Sequence, residues 1–573
     1  MSTFDELRAW YMLTGGQAPQ GGSVSSGGSF GGSLGLSGGS LSGGSLSGGG
    51  PSGGNTTSGL PVYAGCEVEP LIGGSLYFQR LKREIEALTG RQGEFVYIAG
   101  WTFSRAFSLD GPSGGRPLTD LLKAKAAAGV DVRVLGWVLA PEVLNSSMVQ
   151  SSRDAHATLA GNASTMLFVQ DLRAEPALAH KAVLNILSHP AGAVHCKMVI
   201  IGGPNGVTAF TGGIDMHNYR HVQAWHDVQA AVKGPVVQAI YEHYRSMWNE
   251  IQSRAPVAIN LRPFTYTSPA GETFNVPRIT MDSHTHSMPQ LPSRTISSPS
   301  SGRLHVQSLR TLPQYNFSLL GDLASMVGLL PTNSPLRFAP SGAFENRAAR
   351  ERGIRAAQTY IYIEDQGFWS REVFDWIRET VIANDQIRVV LLIGRWDPND
   401  EPNNAFEKYF RFAVNEHLIL GLGPSQMERI GVFRYTNRTV HSKTVIIDDR
   451  WAFIGSANSM RRSLYTDIEH SIAFMDEDGV AVPSYRNSLW GEHFHQSFAD
   501  AEAGLAAWFS LPYQAPGVQS NIVRLRLPFP SVRLTADEEV LYDQIHDPDS
   551  RQPWGIRLAR HFITTRGAEL LSR

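Results

Sequence analysis

Apolar and polar positions along this chain fall into blocks that occur twice in the same order. In the first half, Leu81, Ile85 and Leu88 mark a helix that leads into the apolar run Phe95-Val96-Tyr97-Ile98-Ala99-Gly100-Trp101. A helix around Leu121-Leu122-Lys123-Ala124 and a second run, Val130-Asp131-Val132-Arg133-Val134-Leu135-Gly136-Trp137, follow. The second half repeats this with a strand at Tyr360 to Gln366, a helix at Val373 to Val381 and a strand at Ile387 to Ile393. Each half then closes on an aromatic helix, Tyr241 to Trp248 and Tyr485 to Phe494. Helices alternating with short apolar runs predict an α/β architecture. The duplication predicts two similar lobes, each a mixed β-sheet flanked by helices, related by a pseudo-twofold axis with one active site between them.

Composition sets the domain plan. Residues 1–14 form a short head whose Leu7, Trp10, Tyr11 and Leu13 fit a docking helix or, the favoured reading, a fraying one. Residues 15–59 are dominated by Gly and Ser and lack the apolar area to offset their ordering entropy, so they read as a flexible tether. The first lobe is expected at 60–261 and the second at 302–505. Between them, 262–301 turns rich in Pro, Ser and Thr, as a connection does. Residues 506–573, with Pro528, Pro530, Trp554 and a helical stretch near 556–563, are expected to pack on the core.

Net charge is −2, without the basic field of a nucleic-acid binder. Two cysteines, Cys66 and Cys196, argue against a disulfide framework. Acidic Asp5 and Glu6 in place of an apolar leader, and no run of eighteen apolar residues, predict a cytoplasmic or peripheral membrane protein without a classical signal or transmembrane helix. Export by a specialised route stays open.

The candidate chemistry lies where the two halves match most closely. Val194-His195-Cys196-Lys197-Met198-Val199-Ile200-Ile201 precedes Thr211-Gly212-Gly213-Ile214-Asp215. Val440-His441-Ser442-Lys443-Thr444-Val445-Ile446-Ile447-Asp448 precedes Ile454-Gly455-Ser456-Ala457-Asn458. On a strand, residues two apart share a face, so each His and Lys would point together. Two such strands facing each other would surround one anion, most plausibly a phosphate, with two imidazoles and two ammonium groups. A single His-x-Lys arises by chance; two on predicted strands, with matching Gly pairs and an Asn or Asp, do not.

These residues resemble the phospholipase D superfamily, whose hallmark is a duplicated His-x-Lys-x4-Asp motif followed by Gly-Gly or Gly-Ser and Asn or Asp. His441, Lys443, Asp448, Gly455, Ser456 and Asn458 match throughout. The first copy has His195, Lys197, Gly212, Gly213 and Asp215, but Gly202 stands where the Asp is expected. Trp225-His226-Asp227, Ile363-Glu364-Asp365-Gln366 and Leu489-Trp490-Gly491-Glu492-His493 extend the likeness, and look more like true phospholipases D than the compact nucleases. The resemblance implies metal-independent phosphodiester chemistry through a phosphohistidine. It suggests His195 as nucleophile and His441 as acid/base, although the symmetry of the motifs leaves that choice open.

Lys197 and Lys443 would neutralise transition-state charge in a dry cleft. Asp215, Asn458, Gly213 and Ser456 are the candidate phosphate-binding residues, and Asp448 is grouped with the catalytic motif. A nucleophilic imidazole needs a carboxylate on its other nitrogen; the resemblance favours Asp227 and Glu469, with Asp467 the alternative to Glu469. His217 and His221, four apart, with His226 nearby, lack a completing ligand set and read as surface histidines. No metal or other cofactor is expected. His284 and His286 read as solvated linker residues, and Cys196 as core. Trp101, Trp137, Trp225, Phe368, Trp369 and Trp396 are read as mostly core, some at strand ends lining an acyl-chain groove.

The leading expectation is a phospholipase D acting on a phospholipid substrate with peripheral membrane contact, leaving phosphatidic acid and a free head group, with transphosphatidylation as a variant. The alternatives are a phosphodiesterase acting on nucleic acid, which the charge balance disfavours, a cardiolipin synthase-type transferase, and a non-enzymatic phosphate- or lipid-binding scaffold.

Overall fold

Strands buried on both faces read as continuous apolar runs, and the runs picked out above all lie in one sheet with covered faces. A computed structural model of the chain describes residues 4–14, 59–111, 114–138, 193–222, 224–252, 289–313, 336–394 and 401–542, with short strands within 164–169 and 258–282 and a few single positions besides. The tether at 15–58, Trp396, His284, His286, Trp554 and the stretch 556–563 lie outside the described residues, as does the side chain of Trp137.

The first half contributes β1 (Tyr63–Ile72), β2 (Phe95–Gly100), β3 (Asp131–Val138), β4 (Ser164–Val169), β5 (Lys197–Gly203), β6 (Gly206–Gly212), β7 (Trp225–His226) and β8 (Val228–Lys233). Next come two nested ribbons made of β9 (Ala258–Leu261), β10 (Phe264–Thr267), β11 (Thr273–Val276) and β12 (Ile279–Asp282). Part of the expected connection at 262–301 is therefore paired strand. The second half adds β13 (Leu304–Leu312), β14 (Ala343–Phe344), β15 (Tyr360–Asp365), β16 (Arg388–Ile393), β17 (Ile430–Tyr435), β18 (Thr439–Val440), β19 (Lys443–Ile447), β20 (Trp451–Gly455) and β21 (Glu469–Asp476). A late strand, β22 (Ile522–Arg524), extends the edge beyond β17.

Strand order runs β4-β3-β2-β5-β6-β8-β1 in one lobe and β17-β16-β15-β19-β20-β21-β13 in the other. In each, the outer three strands are parallel and the rest antiparallel. The lobes match strand for strand and meet where β1 pairs antiparallel with β13, fusing a single sixteen-stranded sheet. Alternation along β2 splits its side chains: Phe95, Tyr97 and Ala99 join a core shared by both lobes, while Val96 and Ile98 pack under the helix Gly74–Glu86. Ile361 and Ile363 of β15 likewise face the second lobe's own core with the helix Arg371–Ala383.

The head is not a fraying helix. Phe4–Tyr11 packs on the helix Glu345–Ala356, with Tyr11 and Met12 fully buried. Trp10 Nε1 donates to Ala356 O at 2.9 Å, and Leu60 N to Leu13 O at 2.7 Å. Aromatic residues at helical spacing make this segment adhere to the second lobe.

Candidate active site

Two exchanges of chain between the lobes set the geometry. Val194 bridges Ile468 in parallel, and both His195 N and Cys196 N donate to Ile468 O at 2.9 Å. On the other side β18 runs parallel to β7, and His441 N donates to His226 O at 2.7 Å. Each His therefore lies just before its motif strand, tied to the segment of the opposite lobe that carries a buried carboxylate.

The carboxylates consequently cross over. His195 Nδ1 sits 2.9 and 3.0 Å from the two oxygens of Glu469. His441 Nδ1 sits 2.7 Å from Asp227 Oδ2. A carboxylate at Nδ1 fixes the tautomer with its proton there and leaves the Nε2 lone pair for chemistry. Asp467 instead holds Ala193 N at 2.9 Å and the Arg462 guanidinium. Lys197 Nζ donates to His195 O at 2.6 Å, Lys443 Nζ to His441 O, and both lysines are almost wholly buried.

Burial dominates the electrostatics. It drives both imidazoles well below their ordinary pKa, Lys197 reinforcing this at His195 and Arg220 at His441. It pushes Glu469 up to about 7 and raises Asp227, against the pull of Lys197 and Lys443 respectively. The Lys443 ammonium is lowered to about 8 by burial, Asp227 and Asp365 opposing the shift. Trp101 and Trp225, which are only partly buried, flank His195 and His441 with ring centroids 5.9 and 5.5 Å away.

Three of the predicted residues hold other positions than expected. Asp448 stands five residues beyond Lys443, roughly 16 Å along a strand, and is not in the cleft. Its oxygens accept from Gln358 N, Thr359 N, Thr359 Oγ1, Tyr360 N and Tyr11 OH, clamping the start of β15 to the head. Ser456 Oγ is spent on Glu469 and His470 O, and so buttresses the carboxylate. Gly213 N donates to Val228 O at 2.9 Å. The glycine matters there because a Cβ would lie 2.1 Å from Asp227 Oδ1. Gly202 replaces the first motif's Asp because it packs under Phe95, whose ring a Cβ would strike at 2.1 Å. Glu94 does the equivalent turn-holding there, accepting from Thr89 N, Gly90 N and Arg91 N ahead of β2. Asp215 and Asn458 are buried at the cleft, and Asp215 Oδ2 and Asn458 Oδ1 lack hydrogen bonds.

The family model for the cardiolipin synthase, PLD-like domain matches residues 351–487. The chain is 20% identical to phospholipase D alpha 2 of Oryza sativa subsp. japonica over 76% of its own length and 66% of that enzyme's. It is 21% identical to phospholipase D beta 2 of Arabidopsis thaliana over 70% of this chain and 54% of the relative. The chain belongs to the phospholipase D superfamily. It spans at most about two thirds of the length of these plant enzymes. Phosphatidylserine synthase of Haemophilus influenzae aligns over 76% of this chain and 88% of its own, with 14% identity and a TM-score of 0.45. No helix among the described residues is long and apolar enough to cross a membrane.

Behind this phospholipase D-like centre lies a charged ring that sequence reading did not assemble. His226 Nε2 and His493 Nε2 both reach Glu364, at 3.0 and 3.1 Å, and both Nδ1 atoms lie 3.3 Å from Glu492 Oε2. Tyr362 and Tyr435 add hydroxyls to Glu364 and His493, and Arg438 pairs with Glu492 at 2.7 Å. Burial alone would lower both histidines, but Glu364 and Glu492 carry His226 to about 10, and Tyr435 together with the same carboxylates carries His493 to about 9. Among the described residues, His226, Glu364 and His493 are the group whose ligand atoms, within 4.8 Å of one another, suit a metal ion. Two imidazoliums between two carboxylates satisfy the same geometry. The surface reading of the neighbouring histidines does not hold: His217 and His226 are buried, and His221 lies against Phe78 and Phe107 with Nε2 2.8 Å from Ser108 O. Cys196 is core, its thiol pushed up to about 12 by burial.

Proposed function

We propose that this chain is a phospholipase D that cleaves the terminal phosphodiester of a glycerophospholipid through a phosphohistidine, using His195, His441, Lys197 and Lys443. The observation that carries the reading is the pair of crossed dyads, each a buried imidazole whose Nδ1 faces its own carboxylate. His195 Nε2 attacks phosphorus; a P–N bond forms as the P–O bond to the head group breaks, and the departing alkoxide takes a proton from His441 Nε2. His441 then removes a proton from water, whose oxygen displaces His195 and leaves phosphatidic acid. Lys197 and Lys443 balance the charge gathering on the non-bridging oxygens. Glu469 and Asp227 hold the imidazole tautomers. A peripheral contact with the lipid surface would bring the substrate to the partly exposed Trp101 and Trp225.

The match to a cardiolipin synthase, PLD-like domain favours a second reading in which the acceptor is a lipid alcohol rather than water. Both readings share the phosphatidyl-enzyme and differ in what intercepts it. Incubating the purified chain with a panel of phospholipids, alone, with a primary alcohol and with phosphatidylglycerol, separates them. Phosphatidic acid, diverted to phosphatidylalcohol by added alcohol, supports the hydrolase. Product only when phosphatidylglycerol is the acceptor supports the transferase, and cleavage of DNA in place of any lipid refutes both.

A further inference from the structure

Beside His441 lies a cation that the duplicated motif does not supply. Arg220 belongs to the single turn Asn218–His221 and is 3% exposed. Its guanidinium is wedged between the rings of Trp225, 4.1 Å away, and Tyr219, 4.8 Å away. Nη2 lies 3.2 Å from His441 Nε2. Asp215 and Asp227 stand 3.7 Å off, close enough to pair in charge but outside good hydrogen-bond reach. Nε and Nη1 are buried without a hydrogen-bond acceptor. Buried N–H groups are seldom left unpaired, and a planar fork of donors matches the oxygens of an anionic phosphate as it does those of a carboxylate. The position five residues after Asn458, matching Arg220 after Asp215, is Ser463, so the second motif carries no arginine at the matching place.

We propose that Arg220 is a third cationic ligand of the scissile phosphate, and that it releases His441 Nε2 as it takes hold of the phosphate oxygens. The proposal rests on the reading of this cleft as a phosphodiester site. Before substrate arrives, an Arg N–H donates to His441 Nε2, which therefore carries no proton. An anionic oxygen is the stronger acceptor, so the guanidinium turns to the diester. The freed Nε2 takes one proton from solvent, and that proton later goes to the leaving alkoxide as the P–O bond breaks. The charged groups facing His441 are Arg220, Asp227, Lys443, Lys197 and His195. Asp227 holds Nδ1, which leaves Nε2 to Arg220. Binding of a diester is thereby linked to uptake of one proton, which arms the acid.

Diethyl phosphate is a suitable probe, because its own charge does not change near neutrality. Calorimetry of the full chain in two buffers of different ionisation enthalpy should count about one proton taken up per diester bound. Arg220→Gln should weaken binding at least about tenfold and abolish the proton uptake, and its turnover should fall about 10²–10³-fold, as for one lost transition-state donor. Added guanidinium should restore part of the activity of Arg220→Ala, which a purely structural role would not allow. Wild-type binding without proton uptake overturns the proposal even if the variants fail to fold. Normal affinity and turnover in a folded Arg220→Gln overturn it while leaving the phospholipase reading intact. A wild type that takes up diester and proton, but cleaves no phospholipid, sinks that reading and keeps this one.

Discussion

Replacing Asp448 with Asn should weaken the fold and spare the chemistry. The choice of Asn is dictated by the backbone: Asp448 has φ 56°, a left-handed conformation that Asn tolerates and Ala does not. Oδ1 accepts from Thr359 N, Thr359 Oγ1 and Tyr360 N at 2.8 Å each, and an Asn oxygen can keep these. Oδ2 accepts from Gln358 N and Tyr11 OH at 2.7 Å, and there Asn would present its own N–H groups. Hydrogen bonds to a charged group are each worth about 1.5–3 kcal/mol. Water replaces the exposed Gln358 partner and the tyrosine hydroxyl can turn to accept, so the net cost comes to about 2 kcal/mol. For a lobe of this size that lowers the melting temperature by about 4–8 °C. Tyr11→Phe should be partly redundant with Asp448→Asn, the pair costing less than the sum of the singles by about 1 kcal/mol. Melting followed by circular dichroism, with phosphodiester turnover at 25 °C, checks both halves. Turnover reduced a hundredfold with an unchanged melting temperature would refute the clamp and return Asp448 to the catalytic group.

Four further outcomes are expected. His195→Ala and His441→Ala should each abolish phospholipid turnover in a folded protein, and near-normal activity in either ends the two-histidine scheme; Lys197→Ala and Lys443→Ala should each cost at least about a hundredfold. The Lys443 ammonium, lowered to about 8, should lose its proton as pH rises through that value, so kcat/KM falls on an alkaline limb near 8; a limb that persists in Lys443→Arg shows that another group causes it. His226 and His493, raised to about 10 and about 9, contribute stability that is full below the unfolded value of about 6.5 and is lost as pH rises through 9 and 10; in Glu364→Gln, which leaves buried imidazoliums short of a partner and costs about 3–5 kcal/mol, that alkaline loss should shrink, and an unchanged melting profile would count against the ring. Chelators should leave turnover of a soluble diester unchanged, and loss in EDTA restored by a divalent ion would make the His226–Glu364–His493 group a metal centre.

Periodicity made the element order readable: both halves show their strand and helix sequence because strands covered on two faces must be apolar throughout. The motif placed His195, Lys197, His441 and Lys443 by local spacing alone. What spacing cannot convey is which lobe each carboxylate serves. Asp227 and Glu469 follow the first and second motifs in the chain, yet each orients the other motif's imidazole, because β7 pairs with β18 and Val194 with Ile468 across the seam. Arg220 gave no signal of its own, since its importance depends on Trp225 and Tyr219 closing around it. Gly202 looked like a defect in the motif, although the reason for it is Phe95 on β2, three strands earlier in the chain. The head was misjudged for a related cause: Trp10 and Tyr11 are apolar enough to dock, but nothing local shows that Ala356 and Asp448 await them.

Exchange of carboxylates also explains why one centre, rather than two, follows from the duplication. A lobe taken alone carries an imidazole, an ammonium and a carboxylate, but its own carboxylate is aimed across the interface and its imidazole is left without an orienting partner. Both imidazoles are therefore oriented only when the seam closes, and several kinds of contact hold it. β1 and β13 pair there, the shared apolar core lies along it, and the His226–Glu364–His493–Glu492 ring crosses it immediately behind Asp227. Since His226 and Asp227 are adjacent in the chain, movement of the ring carries directly into the His441 dyad. The same buried charges thus hold the lobes in register and hold the His441 imidazole in place. That coupling is why a buried ionic cluster, which by itself is weak support for stability, fits the purpose of keeping one arrangement of the two halves and excluding others.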